Sequence, residues 1–239
     1  MLPTPRVTVW LWRAFDHLPP CHTAASLSPS EQIRLAAISA PRRRREYIAG
    51  HHLLRHALDY HSPQWRASHR LEHLPNCPPT LCGSQPSSLS FSLSHSGDSL
   101  CCAVTEHCQL GLDIEAPSRT RNIEKIAQSF FSAAEAEQIA TLPPLERVAF
   151  FYRLWTLKES LAKACGSGLD SAILATEFIQ TTVSTPSPWY SYSFALEQQF
   201  AAVTLSQPLH TPLILQQYTP EPNPLAQLQP PTLLYSPAL

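Results

Sequence analysis

Hydrophobic and polar positions follow two periods along this chain, and each change of period marks a new element. RVTVWLWRA, positions 6–14, alternates and is rich in β-branched and aromatic residues, which predicts a strand. SLSPSEQIRLAAIS follows, with Ser28, Pro29 in the first turn and Glu31 three residues after Ser28. That is a capping-box start for a short helix carrying Ile33, Leu35, Ala36 and Ala37. RRRREYIAGHHLLRHALDYH predicts a longer helix, with Tyr47, Ile48, Leu54 and Leu58 roughly on one face.

The period then drops to two. In SLSFSLSHS, Leu89, Phe91 and Leu93 alternate with serines, as a half-buried strand does. Gly97-Asp98 reads as a turn, SLCCAVTE as the returning strand and CQLGLDIE as the next one. IEKIAQSFF returns to a helical pattern, and Ser132 with Glu135 forms a second capping box opening AAEAEQIATL. Pro143 and Pro144 break that helix. A long helix runs from about Leu145 to Cys165 and stops at Gly166. Beyond Gly168 the chain reads as four strands: TEFIQTT, WYSYSFALEQ, FAAVTLSQ and LILQQYT. The order predicts an α+β fold of two similar halves, residues 1–105 and 106–218. The Pro-rich stretch 219–239 has little periodicity and reads as an extended or disordered tail.

Composition narrows the class. With 44% hydrophobic and 15% charged residues, the chain folds around a core. A net charge of −1 gives no global field for nucleic acid, although four arginines run together at Arg42–Arg45. The seven cysteines include no C-x-x-C pair, which disfavours a zinc site built from Cys77, Cys82, Cys101, Cys102 and Cys108. No basic-then-apolar leader and no apolar run of about 18 residues is present. A soluble cytoplasmic protein with free thiols and no membrane partner is expected.

Three stretches carry candidate chemistry. On the long helix Leu154, Leu157 and Leu161 face the core, while Trp155, Glu159 and Lys163 stack on another face at steps of four. Alone, Glu159 and Lys163 read as a solvated pair. In GLDIE, Asp113 and Glu115 point to one side of the strand and Leu112 and Ile114 to the other. Alone, that is equally a solvent-facing edge strand. Two neighbouring carboxylates repel unless a cation lies between them. Glu159 as a third carboxylate completes an all-oxygen set suited to Mg²⁺ rather than zinc. Lys163 beside it would neutralise charge as a bond to phosphorus breaks. In FSLSHSGD, His95 ends a strand between Ser94 and Ser96, where hydroxyls and turn amides can hold a phosphate. Alone it is an exposed histidine.

Taken in order, SHSG, GLDIE and WTLKESLAK resemble the signature of the 4′-phosphopantetheinyl transferase superfamily, in its two-domain, surfactin-synthetase-activating type. The matching residues are Gly111-Leu112-Asp113-Ile114-Glu115 and, about 40 residues on, Trp155-Thr156-Leu157-Lys158-Glu159-Ser160-Leu161-Ala162-Lys163. The resemblance covers about residues 7–205. It implies two pseudo-symmetric α+β subdomains, 1–105 and 106–218, with the active site at their junction, and a monomer. It implies transfer of the 4′-phosphopantetheine arm of coenzyme A to a serine of an apo acyl or peptidyl carrier protein, with adenosine 3′,5′-bisphosphate released. By the same resemblance Asp113, Glu115 and Glu159 match Mg²⁺ ligands. Asp113, Glu159 and Lys163 match catalytic positions, with Glu159 accepting the serine proton directly or through a bound water. Arg34, Arg45, Ser94, His95, Lys158 and Lys163 match coenzyme A-binding positions. Trp155 is expected mainly to pack, and Glu135 to cap its helix.

One departure stands out. Relatives carry Gly-Lys-Pro before the SH strand, and the nearest match here is Asn76-Cys77-Pro78. Cys77 cannot supply the lysine's charge, so the grip on the 3′-phosphate weakens unless Arg70 or another basic residue compensates. The alternative function is a non-catalytic coenzyme A or carrier-protein binding module, and a rival within enzymes is a phosphohydrolase using the same carboxylates.

Overall fold

Two five-stranded sheets lie face to face between two long helices. The computed structural model describes residues 5–13, 15, 23–63, 70–73, 78–82, 89–117, 121–219, 227–228 and 230–238. In chain order the elements are β1 (Thr8–Arg13), α1 (Pro29–Ala36), α2 (Pro41–His61), β2 (Arg70–Glu72), β3 (Thr80–Cys82), β4 (Leu89–Ser96), β5 (Ser99–Glu106) and β6 (Leu110–Glu115). They continue with α3 (Ile123–Phe130), α4 (Ala133–Thr141), α5 (Pro144–Cys165), α6 (Ser171–Ala175), β7 (Phe178–Gln180), β8 (Tyr190–Leu196) and β9 (Gln199–Leu205). The last are β10 (Ile214–Gln217), β11 (Gln227–Leu228) and β12 (Thr232–Pro237). The mixed helix and sheet content is that of the α+β fold read from the sequence.

Strand alternation builds the layers. On β1, Trp10 and Trp12 turn toward α2, where they join Leu53, Leu54, Ala57, Leu58 and Cys102. Val9 and Leu11 turn the other way, with Cys101 and Ala103, into a core shared with Leu112, Ile114, Tyr192, Phe194 and Val203 of the second sheet. On the far side of that sheet, Ala202 meets Phe151, Tyr152, Leu154 and Leu157 of α5. The layers are therefore α2, first sheet, second sheet and α5. Leu154, Leu157 and Leu161 are buried as their spacing requires. The buried face of α2 is offset from the expected one: Leu54 and Leu58 are buried, but Tyr47 and Ile48 are only half-buried.

The first sheet runs β11-β10-β1-β5-β4 and the second β6-β9-β8-β12-β7. All pairings are antiparallel except β1 with β10, which is parallel, Thr8 lying opposite Ile214. Two expectations are corrected here. The chain after residue 206 does not stay in the second half: β10 and β11 complete the first sheet, and Leu213 and Leu215 enter the shared core. Nor does the Pro-rich stretch lack regular structure throughout. Thr232–Pro237 pairs with β8 on one side and β7 on the other, and Tyr235 is buried. Strong packing on both edges overrides the weak local pattern. Among the described residues, no helix is long and apolar enough to cross a membrane.

Candidate active site

The site forms where β4, β6 and α5 meet. Gly111 makes the approach of α5 to β6 possible. A Cβ there would lie 1.9 Å from the Ser160 carbonyl oxygen and 2.5 Å from the Ala164 nitrogen. With only hydrogen at this position the helix backbone rests on the strand, and Glu159 and Lys163 are delivered to its carboxylates. Gly166, with φ +69°, ends α5 in the left-handed conformation.

Lys163 Nζ donates to Asp113 Oδ1 at 2.8 Å and to Ser94 Oγ at 3.2 Å. Ser94 Oγ donates to the same Asp113 oxygen at 2.8 Å, and Ser96 Oγ donates to Glu115 Oε2 at 3.1 Å. Arg121 lies 3.5 Å from Glu115 Oε1, its guanidinium 5.4 Å from the Trp155 ring centre. Trp155 stacks on Phe131 and Phe151, so it packs, as expected, and also holds Arg121. Arg121 is a site residue that the sequence reading missed; its signal was the second of two arginines, Arg119 and Arg121, just after GLDIE.

Burial pushes the Glu159 carboxyl up, and the neighbouring Asp113 and Glu115 push it the same way against Lys163 and Arg121. The three carboxylates therefore feel one another. Among the described residues, Asp113 Oδ2 is buried and has no hydrogen-bond partner. An orphaned carboxylate oxygen beside a raised carboxyl is the environment a hard cation relieves. The donor set thus fits a Mg²⁺-type ion. Among the described residues, however, no three His, Cys, Asp or Glu side chains close around a common point. Lys163 sits against Asp113, and Arg121 sits beside Glu115.

Strand β4 separates two cavities. One, of about 470 Å³, is lined by Arg34, Arg43, Tyr47, His51, His73, Ser94 and His95. The other, of about 380 Å³, is lined by Pro78, Phe91, Leu93, Leu110, Glu159, Lys163, Gly166, Gly168 and Leu169. The hydrogen bond between Ser94 and Lys163 links them. Arg43 Nη1 donates to His95 Nε2 at 2.6 Å, which leaves Nδ1 to carry the imidazole proton, 3.9 Å from Glu46. Burial, then Arg43 and Lys163, lower the His95 pKa, with Glu46 and Asp113 opposing.

The structure thus brings Arg34, Ser94, His95, Asp113, Glu115, Glu159 and Lys163 to one region, and it corrects two expectations. Lys158 does not reach the ligand cavities: it is fully buried, donates to Glu135 Oε2 at 2.8 Å and to the Thr176 carbonyl, and lies 4.7 Å from the Phe131 ring centre. Lys158 is a core residue because it lies four after Leu154 and three before Leu161, on their face. Arg45 does not line the cavity; Arg43 does. Positions 43, 46, 47 and 50 share one helix face, and Arg45 is turned about 200° from Arg43. The rest of the run is structural in part. Arg42 holds the Gly97 carbonyl, and Arg44 caps α1 through the carbonyls of Leu35 and Ile38. Asn76 and Cys77 lie outside the described residues, as does the side chain of Arg70.

Comparisons with known proteins agree with this geometry. Residues 109–214, which carry both motifs, match the model of the 4′-phosphopantetheinyl transferase superfamily. The chain is 34% identical over 148 residues to the 4′-phosphopantetheinyl transferase HetI of a Nostoc species, covering 61% of this chain and 62% of that protein. It is 29% identical over 181 residues to the 4′-phosphopantetheinyl transferase AcpT of Escherichia coli K12, covering 70% of this chain and 87% of that one. A Bacillus subtilis 4′-phosphopantetheinyl transferase is 38% identical over 82 residues, 34% of this chain and 35% of that one. With its paired carboxylates, its lysine and its serine-histidine strand meeting in one place, the chain is similar to the 4′-phosphopantetheinyl transferase superfamily, and it spans about three fifths of the length of the HetI relative.

Proposed function

We propose that this protein transfers the 4′-phosphopantetheine arm of coenzyme A to a serine hydroxyl of an apo carrier protein, with Mg²⁺ bound at Asp113, Glu115 and Glu159. The observation that carries this reading is the adjacency of a basic cavity to the carboxylate and lysine cluster across β4. Arg34, Arg43 and His95 suit the phosphates of coenzyme A. When bound, the cation would neutralise the pyrophosphate. Lys163, at the boundary of the two cavities, stabilises charge on the leaving group. The carrier serine oxygen forms a bond to the β-phosphorus, and the bond from that phosphorus to the bridging oxygen breaks. Adenosine 3′,5′-bisphosphate leaves with that electron pair. The serine proton passes to Glu159, whose proton affinity is raised by burial and by its carboxylate neighbours.

The described cysteines, Cys82, Cys101, Cys102, Cys108 and Cys165, are free thiols, which supports a cytoplasmic setting. Both halves of the site on one chain support a monomer. The test is the intact mass of a purified apo carrier after incubation with this protein, coenzyme A and Mg²⁺, with a chelator control. A gain of one phosphopantetheine arm, lost with chelator, is expected. No gain across fatty-acid, polyketide and peptide carriers overturns the reading in favour of a binding module. Release of phosphopantetheine to water without a carrier would mark a phosphohydrolase.

A further inference from the structure

We propose that Ser92, Ser94 and Ser96 form a seam that joins the two sheets and, through the same hydroxyls, orients the two β6 carboxylates. Strand β4 is the edge of the first sheet and β6 the edge of the second. Among the described residues no backbone ladder joins them, yet Leu112, Asp113 and Ile114 are buried. Buried amide N–H groups on an unpaired edge need acceptors. The serines supply them. The amides of Leu112, Ile114 and Ala116 donate to the hydroxyls of Ser92, Ser94 and Ser96 at 3.0, 3.3 and 2.9 Å. Each pair is separated by the same 20 residues, so the period of two on one strand reads the period of two on the other.

A hydroxyl that accepts one hydrogen bond still has its own proton to donate. Ser94 donates to Asp113 and Ser96 to Glu115. Each of these hydroxyls therefore ties one carboxylate and the next amide of β6 to a single atom. The third member is a built-in control. Ser92 binds the Leu112 amide, but the residue before that amide is Gly111, which has no side chain to orient. Gln199 of β9 adds a further tie, accepting from Ser99 and donating to the Ser96 carbonyl. The orienting role rests on the cation reading of the site; the seam does not.

The experiment uses Ser92→Ala, Ser96→Ala and Ser96→Thr in the full chain. Amide hydrogen exchange at Leu112 and Ala116 is followed by NMR, and cation affinity without substrate by Mg²⁺ competition against Mn²⁺ in EPR. Ser92→Ala is expected to speed exchange at Leu112 about fivefold or more, leaving cation affinity within about twofold. Ser96→Ala is expected to speed exchange at Ala116 and to weaken cation affinity about tenfold, since partners of ligating carboxylates tune them on that scale. Ser96→Thr is expected to restore both. Unchanged exchange in both alanine variants overturns the seam. Equal loss of cation affinity in Ser92→Ala and Ser96→Ala overturns the orienting role and leaves general loosening. A wild type that binds no cation sinks the metal reading and the orienting role together, while exchange still decides the seam.

Discussion

The two halves open their helix pairs with the same device, and the two copies carry opposite electrostatics. In the first half Ser28 and Glu31 form a capping box on α1; in the second Ser132 and Glu135 form one on α4. Both glutamates are buried, and both reach across to the long helix that follows. Glu31 meets His51 at 2.5 Å and Arg55 on α2, with the Ser28 amide also donating to it. Glu135 meets Lys158 on α5 and accepts from the Ser132 amide, while its Oε1 has no partner among the described residues. Burial is the largest influence on both. At Glu31 the bonds from His51, Arg55 and Ser28 together outweigh it and hold the carboxyl well below the usual range. At Glu135 burial wins over Lys158, and the carboxyl is raised. Burial likewise lowers Lys158, so both partners of that pair resist being charged. A capping glutamate is thus held firmly when several donors share it, and at a cost when one lysine must do so.

Breaking the weaker copy gives the largest effect. Lys158→Ala leaves Glu135 buried and unpaired, and about 3–5 kcal/mol of stability is expected to go, as read by urea unfolding. Lys163→Ala, five residues along the same helix, separates structure from chemistry. Its pair with Asp113 is about a third exposed on the lysine side. Stability should change by no more than about 1 kcal/mol, while transfer to the carrier falls about 10²–10³-fold in a mass-based rate assay. Arg55→Ala tests the better-shared copy. Glu31 keeps His51 and Ser28, so the expected loss is only about 1–2 kcal/mol.

Within the first half, Arg43→Ala should raise the coenzyme A concentration needed for half-maximal rate about tenfold, and Arg45→Ala no more than about twofold. The reverse order would return Arg45 to the cavity. The smallest effect is in the pH dependence. Glu31, with its folded pKa depressed, contributes stability above the ordinary value of 4.5 that is lost as pH falls below it. Glu135, with its folded pKa raised, contributes stability below 4.5 that is lost as pH rises through its folded value. Unfolding free energies across pH 3–7 should therefore lose their acid-side decline in Glu31→Gln. In Glu135→Gln stability should rise more steeply with pH just above 4.5.

Local rules made much of this legible. Both capping boxes, the leucine face of α5, the glycine stop at Gly166 and the shared side of Asp113 and Glu115 followed from spacing, because they depend on residues within one turn or one pleat. Even the burial of Lys158 was implied by its place between Leu154 and Leu161, although charge argued for the surface. The serines of β4 had the right alternation but the wrong partner. Read locally they face water; in the fold they face β6, with hydroxyls filled by its amides.

By itself, then, the sequence determined the elements, their inward faces and the candidate acids, since each rests on contacts between near neighbours. Only the tertiary structure decided which edges meet. It placed β10 in the first sheet and β12 in the second, seated Arg43 rather than Arg45 at the basic cavity, and pressed α5 onto Gly111. The reason is physical: hydrophobic period names the face that must be buried, but the partner that buries it is chosen by packing across the whole chain.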